Sequence, residues 1–215
     1  MDHSKTRFIL LGLAVVGLGI ALGTALWLRL GPHPRFGSDQ SSSANGMNEY
    51  GTVPEFTLTE RDGRVIGLQE LRGKIWLADF IYTSCTDTCP LQTAMMAKLQ
   101  EEFAANPNIQ LVSFTVDPER DTPRALTLYA DRYRADTKRW YFLTGERDRI
   151  FRLILDGFHL AVAAMPNNSD PSGLIPHSPR FVLVDKEARI RGYYDSREPE
   201  AVLRLKNDID SLTKG

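Results

Sequence analysis

The sequence predicts an α/β domain with one central sheet flanked by helices, and three observations carry that reading. Apolar runs short enough for buried strands alternate with longer stretches of helical periodicity, and the series ends in a strand pair followed by a helix. The only two cysteines, Cys85 and Cys89, stand together where one buried strand gives way to a helix. With 215 residues, 42% of them hydrophobic, the chain can bury a core, so a disordered chain is excluded. Two cysteines close at most one bridge, which excludes a disulfide-stapled scaffold. Twenty-six Lys and Arg against 27 Asp and Glu give a formal charge of −1. That balance offers no electrostatic reason to bind nucleic acid.

Ahead of the domain, residues 1–7 read as a short tail, and Phe8 to Leu28 runs 21 residues without a charge. As a helix this stretch spans about 30 Å, the thickness of a bilayer's hydrocarbon core. It predicts a single transmembrane anchor over residues 8–28, with Trp27 at the interface. The rival reading is a cleaved signal peptide, because Gly23, Thr24 and Ala25 suit a peptidase. Both readings export the remainder. The expectation is a single-pass membrane protein with its soluble domain outside the cytoplasm, on the bacterial inner membrane facing the periplasm ahead of the mitochondrial inner membrane. Residues 29–50, with Gly-Pro-His-Pro and then Ser41-Ser42-Ser43, read as a flexible linker, and residues 51–215 as the domain.

Within the domain, Val53 to Ile66 reads as a β-hairpin turned at Asp62-Gly63. Ile75 to Tyr82 is a nearly continuous apolar run, as expected of a strand buried on both faces. A helix follows, with Pro90 in its first turn and Met95, Leu99 and Phe103 at helical spacing. Ile109 to Val116 is a second buried strand, and Asp121 to Arg134 a helix capped by Asp121 or Thr122. Trp140 to Leu143 is a third strand and Glu146 to Phe158 a third helix. After a Pro-, Asn- and Gly-rich stretch from Leu160 to Pro176, Phe181 to Val184 and Arg189 to Tyr194 form a strand pair turned at Lys186-Glu187. Glu198 to Leu212 closes the domain as a helix. That succession is a thioredoxin-like order.

The chemistry concentrates in Thr83-Ser-Cys-Thr-Asp-Thr-Cys-Pro-Leu91. Backbone N–H groups converge at a helix N-terminus and its dipole favours negative charge, so thiolates are stabilised there. Four-residue spacing sets the two sulfurs on one side of a helical turn, able to hold one metal ion or to close into a disulfide. Two sulfurs do not complete a zinc or copper site, which directs attention to the histidines. His3 precedes the anchor and His33 lies in the linker, while His159 at a helix end reads as a surface or packing residue. His177 ends the long irregular stretch just before the strand at Phe181, and long loops inside compact domains are usually functional. Asp87 reads as a helix-start residue, and Met95 and Met96 as core.

Three segments together resemble the Sco/SenC family of membrane-anchored, thioredoxin-like copper proteins: Ser84-Cys-Thr-Asp-Thr-Cys-Pro90, Val116-Asp-Pro-Glu-Arg-Asp-Thr-Pro123, and His177-Ser178 ahead of Phe181-Val-Leu-Val-Asp185. The resemblance runs from Tyr50 to about Leu212. It implies a copper ion held by Cys85, Cys89 and His177, and a role in assembling the binuclear copper centre of cytochrome c oxidase. Its implied partners are the copper-receiving oxidase subunit and a copper donor chaperone. Two thiolates with one imidazole suit copper(I), and an exposed three-ligand site suits a carrier. The chain departs from the family in placing Pro176, not an acid, before the histidine.

Asp79 complicates a pure copper reading, since it stands inside an apolar strand where a lone carboxylate is costly. In thioredoxins an acid likewise stands six residues ahead of the first active-site cysteine and assists proton transfer, so Asp79 is a candidate proton acceptor. The alternative is a carboxylate bonded to nearby backbone or to the Tyr82 hydroxyl. On the first reading Cys85 and Cys89 act as a dithiol that reduces an exported protein, with Cys85 attacking and Cys89 resolving. A peroxidase ranks last: Val53-Pro-Glu-Phe resembles the peroxiredoxin opening, but no peroxidase threonine and arginine surround the cysteines.

Overall fold

In the computed structural model, residues 47–160 and 179–214 are described. The expected tail, anchor and most of the linker, together with His177, lie outside the described residues. Among the described residues no helix is long and apolar enough to cross a membrane. The strands are β1 (Thr57–Glu60), β2 (Val65–Gly67), β3 (Ile75–Ile81), β4 (Ile109–Thr115), β5 (Trp140–Thr144), β6 (Arg180–Val184) and β7 (Ile190–Asp195). The helices are α1 (Thr88–Glu102), α2 (Pro123–Arg132), α3 (Arg147–Arg152) and α4 (Pro199–Lys214).

The strands make one sheet in the order β2-β1-β5-β4-β3-β6-β7. β3, β4 and β5 are parallel at its centre, and every residue of all three is buried, which accounts for their mostly apolar character. β1 joins β5 antiparallel, while β6 and β7 continue antiparallel beyond β3. The result is the expected thioredoxin-like mixed sheet flanked by helices.

Register decides which side chains meet. Asp79 pairs with Ser113, which pairs with Phe142, so these three share a face. That face receives Tyr129 of α2 against Phe142, and Thr93 of α1 bonds the Tyr129 hydroxyl at 2.8 Å. On the opposite face Trp76, Phe80 and Phe114 surround Phe158 at ring separations of 5.2–6.0 Å. Aromatic edges and faces interlock there, and the buried Trp76 Nε1 has no hydrogen-bond partner among the described residues.

Three expectations are corrected. The first strand opens at Thr57, not Val53, because the preceding backbone is bonded elsewhere: Tyr50 N–H donates to Ile190, Ile190 N–H to Gly51, and Val53 N–H to Ala188. The expected helix from Glu146 to Phe158 is α only to Arg152. Leu153–Gly157 then widens into a π-helical turn, with Phe158 N–H reaching back five residues to Leu153. Gly157 is needed in that turn, since a Cβ there would sit 2.8 Å from the Pro54 ring. Finally, Thr122 alone caps α2, accepting from Ala125 N–H, with Pro123 at the first helical position; the Asp121 carboxylate points elsewhere.

Candidate metal centre

β3 delivers the chain to the site and α1 carries it away. Past Ile81 the backbone turns, with Cys85 N–H bonded to the Tyr82 carbonyl at 3.2 Å, and α1 begins at Thr88. Cys85 therefore lies just before the helix and Cys89 inside its first turn. Both are buried free thiols, Cys85 7% and Cys89 0% exposed. The Cys89 N–H donates to Cys85 Sγ at 3.4 Å, so an unpaired backbone donor of the helix start is aimed at the first sulfur.

The two thiols are unequal. Burial pushes Cys85 up, but hydrogen bonds from the Cys89 thiol, from the backbone N–H groups of Asp87 and Cys89 and from the Tyr82 hydroxyl outweigh it, leaving Cys85 below an ordinary cysteine. Burial, together with the hydrogen bond it makes to Cys85, pushes Cys89 far above the ordinary range. The pair thus holds one readily ionised sulfur and one protonated one.

Asp79 lies beneath the pair, fully buried, and its charge adds to the upward push on Cys89. Its Oδ1 accepts from Ser113 Oγ at 2.5 Å, and Ser113 in turn accepts from Trp140 Nε1 at 2.9 Å. Of the alternative partners, nearby backbone or the Tyr82 hydroxyl, Tyr82 is not the one bonded, because Ser113 is the register partner on the same face while Tyr82 interacts with Cys85. Oδ2 has no hydrogen-bond partner among the described residues, and burial pushes the carboxyl up to about 7 against the lowering bond from Ser113.

The remaining expectations fall as follows. Asp87 is exposed at the helix start and takes only the Thr88 hydroxyl, at 3.3 Å. Met96 is fully buried and Met95 packs against the core. His159 is exposed, in a left-handed conformation with φ 51, and its ring lies over Gly51, where a Cβ would meet Nε2 at 3.0 Å. No group of three or more His, Cys, Asp or Glu able to hold a metal occurs among the described residues. The structure brings Cys85 and Cys89 into contact, with Asp79 acting on Cys89 through its charge, and His177 lies outside the described residues.

Asp121, read from the sequence as a cap candidate and as part of the Val116–Pro123 segment, has partners that the sequence did not single out. Asp121 is fully buried; it accepts from the Thr83 backbone N–H at 3.1–3.2 Å, from the Thr83 hydroxyl at 2.5 Å and from the Thr115 hydroxyl at 2.5 Å. The available signal was Asp121-Thr122, two cap-forming residues in succession where a helix needs one.

The SCO1/SenC family pattern matches residues 45–213. The SCO1 protein homolog of Bacillus subtilis is 34% identical over 163 residues, covering 75% of this chain and 82% of that protein. Among solved structures, BsSco, described with a disulfide switch and as a member of the Sco family of cytochrome c oxidase assembly proteins, superposes with a TM-score of 0.65 at 33% identity, covering 76% of this chain and 95% of that one. ScoI of Bradyrhizobium japonicum, solved with copper bound, shares the fold at a TM-score of 0.58 and 24% identity, covering 73% of this chain and 98% of that one. A pattern match across nearly the whole domain, with a relative above 30% identity, places the chain in the SCO1/SenC family.

Proposed function

We propose that this protein is a copper metallochaperone that binds one copper ion through Cys85, Cys89 and His177 and assists assembly of the binuclear copper centre of cytochrome c oxidase. The observation that carries this reading is the cysteine pair itself, one sulfur just before the helix and one in its first turn, with the backbone N–H of the second aimed at the first. Soft sulfur donors favour copper over hard cations, and Cys85, held below an ordinary cysteine, gives up its proton to a metal more easily than Cys89. Cys89 must give up its proton to bind, so copper uptake releases a proton and strengthens as pH rises. The route to His177 is short. The Arg180 carbonyl accepts from Gln92 Nε2 at 3.4 Å, which ties the start of β6 to α1 one turn past Cys89. His177 is three steps along the chain from Arg180, a reach of at most about 10 Å. Copper-bound ScoI of Bradyrhizobium japonicum and the oxidase-assembly role attached to BsSco support the same reading. The protein is held by residues 8–28 in a membrane, bacterial inner rather than mitochondrial, with the domain outside the cytoplasm. It takes copper from a donor chaperone and passes it to the copper-receiving oxidase subunit.

Copper titration of the full-length chain tests the ligand set. The expected result is one equivalent per chain, lost in Cys85→Ser or Cys89→Ser and weakened at least about tenfold in His177→Ala. Unchanged affinity in His177→Ala removes that ligand.

The inequality of the thiols and the buried Asp79 favour a second reading, a thiol:disulfide reductase. The Cys85 thiolate attacks one sulfur of a partner disulfide, forming a mixed disulfide and expelling the other partner sulfur as thiolate. Cys89, its proton passed to the Asp79 carboxylate, then attacks Cys85 Sγ and releases the partner's second thiolate. The partner gains two electrons and the chain ends with a Cys85–Cys89 disulfide. No turnover of a disulfide-bonded oxidase fragment by a chain that binds copper tightly counts against this reading.

A further inference from the structure

The region between β4 and α2 contains a carboxylate used for neither helix capping nor charge pairing. Asp121 is fully buried, yet all four of its contacts come from two neutral residues, Thr83 and Thr115. A buried carboxylate without a cation is costly unless its acceptor sites are filled, and here they are filled by donors from the turn after β3 and from the end of β4. Thr115 ends β4, and its hydroxyl also accepts from Asp117 N–H at 3.0 Å, so that end of the bridge is fixed to the sheet. The other end holds both the backbone and the side chain of Thr83. Thr83 sits inside the turn closed by the bond from Cys85 N–H to the Tyr82 carbonyl.

We propose that Asp121 is the positioning residue of the site: by clamping Thr83 against the end of β4 it fixes the turn that places Cys85 Sγ before the Cys89 N–H. This deepens the copper reading, on which it rests for its affinity arm. Neighbouring bonds on the turn itself do not substitute for the clamp. Ser84, Thr86 and Asp87 are exposed, and the side-chain bonds that cross from this turn to β4 and the loop after it run through Asp121. An aspartate at this place accepts on both oxygens, whereas asparagine would present N–H groups to a hydroxyl and an amide that already donate.

The experiment compares Asp121→Asn, Thr83→Val and Thr83→Ser in the full-length chain. Thr83→Val keeps the shape and deletes the hydroxyl donor, so it stands in if Asp121→Asn does not fold; Thr83→Ser restores the donor. Expected are an about 10–100-fold loss of copper affinity and a shifted thiolate-to-copper(II) absorption band in Asp121→Asn and Thr83→Val, with both recovered in Thr83→Ser. A second arm needs no metal. Amide hydrogen exchange at Cys85 and Cys89 should rise about tenfold or more in Thr83→Val, while Val112 and Phe114 in β4 keep wild-type rates. Exchange at Cys85 that is unchanged, or that rises equally at Val112, overturns the proposal. If the wild-type chain holds no copper, the functional reading fails, and the exchange arm alone decides for or against the clamp.

Discussion

Two sulfurs four residues apart behave differently because the start of a helix is not symmetric. Cys85 faces the N–H of Cys89 that the helix leaves unpaired, while Cys89 is fully enclosed, and its burial outweighs the backbone donor of Tyr82. Iodoacetamide should therefore modify Cys85 about tenfold or more faster than Cys89 at neutral pH, and equal rates by peptide mass spectrometry would contradict the asymmetry. Asp79 carries a pH dependence of definite sign. Its carboxyl titrates near 4 when unfolded and at about 7 when folded, so the folded state keeps a proton that the unfolded state releases in between. Its contribution to stability is full below about pH 4 and is lost as pH rises through 7. Asp79→Asn should flatten that fall and stabilise the chain at pH 8 by a few kcal/mol, read as denaturant midpoints at pH 4 and pH 8. The sequence showed Asp79 as an acid misplaced in an apolar strand, but not its partner. Ser113 becomes its neighbour only through the β3–β4 register, 34 residues away.

At the scale of elements, the hairpin of β6 and β7 depends on one carboxylate. Asp185 accepts from the N–H groups of Glu187 and Arg189 at 2.9 Å each and from the Nε atoms of Arg189 and Arg191 at 2.9 and 2.6 Å. Burial pushes its carboxyl up, but the Arg189 backbone N–H and then the two guanidinium groups outweigh it and hold it below the ordinary value. The contribution is present above the unfolded value near 4 and lost as pH falls through the folded one. Asp185→Ala should cost about 3–5 kcal/mol in urea unfolding at neutral pH, since the buried Arg191 side chain loses this carboxylate. Thr122→Ala should cost only about 1 kcal/mol in the same assay, one cap bond at an exposed helix start. Most elements were legible to within a residue or two because apolar runs and turn residues are local signals. Ile75–Ile81 and Trp140–Thr144 follow the expected strands closely. The π-turn at Leu153–Gly157 was not legible, because apolar spacing over five residues does not separate π from α. Asp121 was legible only as a cap, since its partners Thr83 and Thr115 come from other elements.

For the whole molecule, sequence order alone predicted an alternating α/β domain, whereas the strand order, with β1 docked beside β5, follows from packing that no local signal reports. A chain with formal charge −1 has little net charge with which to attract a partner over long range. The uncharged stretch from Phe8 to Leu28 predicts that the full-length chain sediments with membranes, survives a carbonate wash, and exposes its domain to protease from the non-cytoplasmic side. Release by carbonate, or protection of the domain from that side, would contradict the topology. The most direct measurement of the central claim is X-ray absorption at the copper edge of the copper-loaded full-length chain. Two sulfur ligands and one imidazole nitrogen are predicted, with the imidazole gone in His177→Ala. A wild-type spectrum built from oxygen and nitrogen donors alone would contradict it.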